Sequence, residues 1–296
     1  MIKAVIDIGT NSTRLFVADE KLNTIKKMLS TTRLGEGILH SPYMLDSAME
    51  RTSDKVKEFV EIAKSHGAEI IYIYATAVVR EAKNNQVFSK MIFDKTGINL
   101  DIIPGFMEGE IAFLGASQGF ESPAVIDIGG GSTEVVTNEN NYLKAVSLKT
   151  GGVRLKEQFQ TPSGIIDINP IKEFLLKEYI PQYKDSTDIL KAKTLIGVSG
   201  TPTTIASLVL GLTTYQPEIF QDAVLLKKDF DSALIHLASL KTEERKNACG
   251  DFKDRADIIV FGGCILSAFM EYYNFDRLVV SDKDSLEGYL IKKATE

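Results

Sequence analysis

Residues 5–17 read VIDIGTNSTRLFV and residues 125–137 read VIDIGGGSTEVVT, so the chain writes nearly the same segment twice, 120 positions apart. Seven of the first nine positions agree, and the tenth changes sign, from Arg14 to Glu134. Each copy is an apolar run ending in Asp, then a Gly-bearing turn, then a second apolar run. That is the pattern of a strand, a tight turn and a strand. A third strand is predicted after each copy, over 24–29 and 143–148, followed by the Gly-containing stretches TRLGEGI (32–38) and TGGVRLKE (150–157).

The rest of each half alternates. Met49, Val56, Phe59 and Val60 fall at helical spacing, which predicts a helix over 46–66 closed near Gly67. Residues 70–75 read as a buried parallel strand, 85–96 as a helix closed by Gly97, 100–103 as a strand and 107–118 as a helix. In the second half, 170–179, 203–210, 230–240, 255–273 and 285–293 read as helices, with strands at 194–198 and 277–280. Three antiparallel strands followed by alternating helices and parallel strands, done twice, predict an α/β protein of two duplicated domains. A cleft between them would have both glycine turns at its mouth. The boundary is placed in the small, polar segment 118–123, giving domains 1–119 and 120–296, with the last helix (about 285–296) free to pack back on the first.

Composition narrows the setting. At 296 residues the chain can bury two ordinary cores, and 44% hydrophobic with 25% charged residues is typical of soluble globular proteins. The N-terminus carries no basic and apolar leader pattern, and the apolar stretch 258–270 is too short to span a bilayer. A cytoplasmic protein without membrane partners is expected. Cys249 and Cys264 have no metal-ligand spacing and read as buried free thiols. His40, His66 and His236 lie in unrelated surroundings and read as structural or surface residues. A net charge of −6 argues against DNA as a partner, yet a local cluster of Arg and Lys can still hold a small or linear polyanion.

The turns themselves suggest which polyanion. Gly9, Thr10, Asn11 and Ser12 in the first copy, and Gly129, Gly130, Gly131, Ser132 and Thr133 in the second, put small residues and hydroxyls where the backbone reverses. Consecutive amides in such a turn can form a concave anion site, and glycine lets a phosphate approach without a Cβ in the way. Asp7 and Asp127 end the preceding strands and would repel a phosphate unless Mg²⁺ lies between. One such turn is equally well a hairpin with a structural Asp; two matching copies favour the anion site.

Further stretches carry a family resemblance: RLGEGI (33–38), ATAVVREAKN (75–84), GFMEGEIAFLG (105–115), VIDIGGGSTE (125–134), TGGVRLKEQF (150–159), GVSGTPTTIASL (197–208) and RADIIVFGGCIL (255–266). Together they resemble the exopolyphosphatase/guanosine pentaphosphate phosphatase family, within the superfamily of actin, Hsp70 chaperones and sugar kinases. The resemblance covers essentially the whole chain and implies actin-like (ribonuclease H-like) domains. It implies Mg²⁺-dependent removal of a terminal phosphate from polyphosphate, or of the 5′ γ-phosphate from guanosine pentaphosphate. A homodimer is a family-level expectation.

By that resemblance Glu108 orients or deprotonates the attacking water. Asp127 and Glu134, with Asp7, form the metal side, while Arg14 holds anionic substrate, which would explain the change of sign between the copies. Arg80, after an apolar strand, has the donor fork that suits a phosphate oxygen. Gly200 opens a helix whose N-terminus can accept an anion. Arg255, with Arg33 and Arg154, would extend the chain-binding track. Phe106, Met107 and Glu110 depart from the family pattern around Glu108. Two other readings use the same scaffold: a kinase-like nucleotide enzyme, and a non-catalytic sensor of polyphosphate or an alarmone nucleotide.

Overall fold

The computed structural model describes residues 1–139, 142–184, 187 and 189–295, and the chain divides into two compact units. One unit is Met1–Gly115 together with the chain from Ser285 onward; the other is Ala116–Asp284. The units therefore part at 115/116, a few residues before the expected boundary segment 118–123, and the last helix belongs to the first unit. Glu296, the end of that expected helix, lies outside the described residues.

The first unit holds strands β1 (Lys3–Ile8), β2 (Thr13–Ala18), β3 (Thr24–Ser30), β4 (Ile70–Ala75) and β5 (Leu100–Ile102), in the order β3-β2-β1-β4-β5. The second holds β6 (Pro123–Ile128), β7 (Thr133–Glu139), β8 (Tyr142–Leu148), β9 (Thr194–Val198), β10 (Ala223–Leu226) and β11 (Arg277–Val280). Its order is β10-β11-β9-β6-β7-β8. From the β8 edge inwards, the run 8-7-6-9-11 repeats the first sheet strand for strand, and β10 is an antiparallel addition at the far edge. The expected duplicated α/β architecture is thus present in both halves.

Burial explains why the repeated segments become central strands. β6 is buried along its whole length and β1 at all but its first residue, as strands covered on both faces must be. In the first unit Ile6, Ile8, Leu15 and Val17 pack with Met49, Val56, Phe59 and Val60 of helix Asp46–Ser65. On the opposite face Val5, Phe16 and Tyr74 meet Ile111 and, from the last helix, Leu286 and Tyr289. In the second unit helix Ile259–Tyr272 is buried at every residue from Ile259 to Met270, so it is apolar all round and forms the middle of the core.

Several elements differ from expectation for local reasons. The helix expected over 107–118 runs Gly105–Ala116, because Pro104 supplies the carbonyl that accepts from the amides of Met107 and Glu108. The helix expected from 255 begins at Ile259, and Gly250–Arg255 form a 3₁₀ segment before it. Residues 150–157, expected as a Gly-containing turn after the third strand, instead run into a helix, Gly152–Phe159, with Val153 and Leu155 buried. β10 and the short helices Ala77–Glu81, Pro217–Phe220 and Thr242–Ala248 give too few residues for a periodic signal.

The last helix, Ser285–Thr295, is pressed closely onto helix Gly105–Ala116. A Cβ on Gly288 would lie 1.7 Å from the Ile111 carbonyl oxygen and 3.0 Å from the Gly115 nitrogen. Tyr289 stacks on Tyr74 with ring centres 4.6 Å apart, and its hydroxyl donates to Asp101 at 2.9 Å. Because the obstruction at Gly288 is backbone rather than a movable side chain, Gly288→Ala should destabilise the protein by about 1–3 kcal/mol or more. A lowered midpoint in urea denaturation checks this; an unchanged midpoint would mean that the two helices can separate without cost.

Candidate active site

In the first unit the parallel strands β1, β4 and β5 end side by side, with Ile8 opposite Ala75 and Ala75 opposite Ile102. The segments that leave these strands therefore gather at one edge: the glycine turn 9–12, the stretch from Thr76 to Arg80, and the stretch from Ile103 to Glu108. The carboxyl ends of parallel strands are where α/β folds place their chemistry, since loops there are positioned by a rigid sheet. The second unit repeats the arrangement. Asp127 is opposite Val198, and Gly197 is opposite Val280, so the turn 129–132, the segment 199–201 and the segment 281–284 share an edge.

The turns are built alike. Gly9 N–H donates to the Ser12 carbonyl at 3.0 Å, and Gly129 N–H donates to the Ser132 carbonyl at 3.0 Å. Each is then bound from outside through its carbonyls by the loop after the hairpin. The amides of Arg33 and Gly35 donate to the carbonyls of Asn11 and Thr10, both at 2.8 Å. In the second unit the amides of Gly152 and Val153 donate to the carbonyls of Gly129 (3.0 Å) and Gly130 (2.9 Å), and Arg154 Nε donates to the Gly131 carbonyl at 2.7 Å. Such approach requires glycine in the clamping loop: a Cβ on Gly151 would lie 2.5 Å from the Gly130 oxygen, and one on Gly35 would lie 2.2 Å from Thr10 Cγ2.

The clamps leave the turns with donors. Among the described residues, the amides of Thr10, Asn11 and Ser12, and those of Gly130, Gly131 and Ser132, donate to no protein acceptor. Thr10, Asn11, Ser12 and Ser132 are buried. Buried amides without an acceptor are rare in folded proteins, and a row of them can receive an anion. Thr133, expected to offer its hydroxyl to substrate, is instead fully buried and donates to the Thr150 carbonyl at 2.7 Å. Its role is to tie the clamp to the strand.

The change of sign between the copies acquires a geometry. Asp7 and Arg14 are directly opposite across β1 and β2, and Asp127 and Glu134 are directly opposite across β6 and β7. In the first hairpin Arg14 Nε and Nη2 both donate to Asp7 Oδ2, at 2.9 and 2.6 Å, and Nη2 also reaches Ser285 Oγ at 2.9 Å. Asp7, expected as a metal ligand, and Arg14, expected as a substrate cation, thus face each other as an ion pair. In the second hairpin two carboxylates take these positions, Asp127 6% and Glu134 1% exposed. Ser147 Oγ donates to Glu134 Oε1 at 2.6 Å. Burial and, next, the charge of Glu134 hold the Tyr183 hydroxyl well above its ordinary range. Like charges opposite one another are unfavourable in a sheet, and Glu134 Oε2 is buried with no hydrogen-bond partner among the described residues, so the pair could hold a cation. Hard carboxylate oxygens in such a pair suit Mg²⁺, which takes one or two protein carboxylates and completes its shell with water and phosphate.

Glu108 lies in the first turn of helix Gly105–Ala116 and is 8% exposed. Arg80 Nη1 donates to Glu108 Oε2 at 3.0 Å and to the Ile103 carbonyl at 2.9 Å. Both contacts use one nitrogen, leaving the donors of Nε and Nη2 facing no described protein acceptor. The departures around Glu108 separate in space. Phe106 is 57% exposed, whereas Glu110 pairs with Lys292 of the last helix at 3.2 Å, so its charge is neutralised there.

In the second unit Gly200 does open a helix, Gly200–Val209. The Arg255 guanidinium lies directly on Gly200: a Cβ there would fall 1.8 Å from Arg255 Cζ. Gly200 thus gives Arg255 its place at this edge. The clamps are not legible in the sequence as such, although both come after the third strand, begin near a Thr and carry Gly35 or Gly151 (a shared signal visible as a repeated Gly-containing stretch).

Fold and site together define a duplicated α/β protein with a glycine-turn site at the carboxyl edge of each sheet. A profile of the Ppx/GppA phosphatase family matches residues 15–296, and the chain belongs to that family. It is 31% identical to a bifunctional 3-dehydroquinate synthase/phosphatase of Fusobacterium nucleatum, over 98% of this chain and 46% of that protein, so it spans about half the length of that relative. It is 28% identical to exopolyphosphatase 2 of Mycobacterium tuberculosis over 98% of both chains. The crystal structure of an exopolyphosphatase-like protein, 27% identical, superposes with a TM-score of 0.93 over 100% of this chain and 99% of that one. Among the described residues no helix is long and apolar enough to cross a membrane.

Neither cysteine takes part in this chemistry. Both are buried free thiols, as expected, and burial pushes Cys249 up to about 11 and Cys264 up to about 12. A thiol raised in this way stays protonated at neutral pH and is a poor nucleophile. Folded protein at pH 8 should therefore react with a thiol reagent orders of magnitude more slowly than urea-unfolded protein. Equal rates would mean that these positions open readily.

Proposed function

We propose that this protein is a phosphohydrolase that removes the terminal phosphate of inorganic polyphosphate, with guanosine pentaphosphate as the second substrate of the same chemistry. The observation that carries this reading is the row of three acceptor-less amides in each glycine turn, an anion site whose carbonyls are held away by the clamp. Polyphosphate comes first because a relative matched along nearly its full length is an exopolyphosphatase.

The roles follow from the donors and acceptors on each side chain. Amides of the turns take the non-bridging oxygens of the substrate, which needs fixed donors where charge spreads during phosphoryl transfer. Arg80 keeps Glu108 in place with Nη1 and offers its remaining fork to a phosphate oxygen. Glu108 accepts a hydrogen bond from the attacking water, aligns it, and takes its proton as the bond to phosphorus forms. The bond from that phosphorus to the bridging oxygen breaks, the oxygen and its electron pair stay on the shortened chain, and the terminal phosphate is released as inorganic phosphate. Asp127 and Glu134 would hold the Mg²⁺, which when bound would neutralise charge on the phosphates. Arg255 and Arg154, at the sheet edge of the second unit, would contact further phosphates of the substrate. The same arrangement disfavours the sensor reading, since a carboxylate buried against an arginine at the anion site adds nothing to binding an anion.

Purified protein with Mg²⁺ should release phosphate from long-chain polyphosphate, and ATP should be a poor substrate; release from neither polyphosphate nor guanosine pentaphosphate would overturn the reading. Glu108→Gln should lower kcat roughly a hundredfold or more while leaving polyphosphate binding nearly unchanged. Turnover at the wild-type rate would remove Glu108 from the mechanism. For the cation, Mg²⁺ should raise the melting temperature of the wild type, and Asp127→Asn or Glu134→Gln should abolish that shift. An undiminished shift in both variants would place the cation elsewhere.

A further inference from the structure

The two clamps do the same work but are themselves held differently. In the second unit the clamping residues Gly152 and Val153 begin helix Gly152–Phe159. Leu155 N–H closes onto the Gly151 carbonyl at 3.0 Å, and Gly152 is seated against the Ile258 carbonyl, 3.3 Å from where its Cβ would be. Helical hydrogen bonds and the core therefore fix that clamp. In the first unit the clamp over 32–36 is not helical; it is a run of turns between β3 and helix Asp46–Ser65. Arg33 sits there at φ 51°, a left-handed conformation that a non-glycine residue adopts only under strain. A strained, non-helical loop needs an outside partner to stay put.

Arg51, on the second turn of helix Asp46–Ser65, supplies one. Its Nε donates to the Thr32 carbonyl at 2.7 Å, and its Nη2 reaches towards the Arg33 carbonyl at 3.5 Å and Glu36 Oε2 at 3.4 Å. Thr32 is buried and its hydroxyl shares a 2.9 Å hydrogen bond with that of Thr13, the first residue of β2. One guanidinium thus grips the two carbonyls on either side of the Arg33 amide, and that amide holds the glycine turn. The chain of contacts runs from the helix through Arg51 to the loop, and from the loop to the carbonyls of Asn11 and Thr10.

We propose that Arg51 is a positioning residue for substrate binding, locking the 32–36 clamp so that the amides of Thr10, Asn11 and Ser12 stay preorganised for a phosphate. It touches no substrate itself. The inference rests on the reading of the first turn as an anion site. Arg51 is specific for the task because its planar fork spans neighbouring carbonyls, which a single ammonium cannot do. The ion pair with Glu36 contributes little, since both side chains are well exposed.

The test compares wild type, Arg51→Ala and Arg51→Lys in two measurements. Hydrogen–deuterium exchange, read on fragments covering 32–36, 150–154 and 70–75, reports the lock without relying on activity. Phosphate release from polyphosphate reports its consequence. Arg51→Ala should speed exchange in 32–36 at least tenfold and leave the other two fragments unchanged. KM should rise roughly five- to tenfold, the effect of losing about one good hydrogen bond to a charged group, with kcat little changed. Arg51→Lys should restore neither fully. Unchanged exchange in 32–36 would overturn the lock. Faster exchange with an unchanged KM would overturn its link to substrate, and faster exchange in all three fragments would reduce Arg51 to general stability. If Arg51→Lys restored KM while 32–36 still exchanged fast, charge and not position would be the cause. Absence of phosphate release by the wild type would instead count against the proposed function, and exchange would still decide whether the lock exists.

Discussion

A peptide turn has carbonyls as well as amides, and a site for phosphate must hide the first to offer the second. In both units of this protein the carbonyls of the glycine turn are bound by the loop after the hairpin, at distances of 2.7–3.0 Å for the principal bonds. Everything else at the edge of each sheet depends on that constraint. The clamping glycines Gly35 and Gly151 exist because the approach leaves no room for a Cβ. Thr133 is spent on tying its clamp down, and Thr13 shares a hydroxyl hydrogen bond with Thr32 for the same end.

Duplication gave the two units one scaffold, and a single cross-strand position separates them chemically. Arg14 opposite Asp7 makes an ion pair; Glu134 opposite Asp127 makes a buried pair of two carboxylates. The register of the hairpins fixes this difference, because residues opposite each other in an antiparallel pair cannot avoid one another. The same cross-strand position thus carries opposite charges in one unit and like charges in the other.

Much of the fold was legible before any coordinates. The repeated apolar runs, the helical spacing of 46–66 and the left-handed Gly97 after 85–96 all fall where periodicity and turn chemistry place them. β10 and helix Gly152–Phe159 escaped because their conformation comes from what they dock onto rather than from their own pattern. Of the site, the glycine turns and the carboxylates were legible as motifs. The partners were not: no spacing announces that Arg80 grips Glu108, that Lys292 neutralises Glu110, or that Gly200 makes room for Arg255.

By itself, the sequence determined a duplicated α/β chain, its family, and the residue types that meet at each turn. Local rules suffice for these, since strand alternation, helix period and glycine tolerance are properties of neighbouring residues. Tertiary structure alone decided how the charges are spent. Asp7 and Arg14 became an ion pair, Thr133 a strut, and the last helix a brace pressed through Gly288 onto the helix that carries Glu108. The physical reason is that hydrogen bonds and ion pairs act over a few ångströms in space, and residues tens to hundreds of positions apart are brought within that range only by the packed fold.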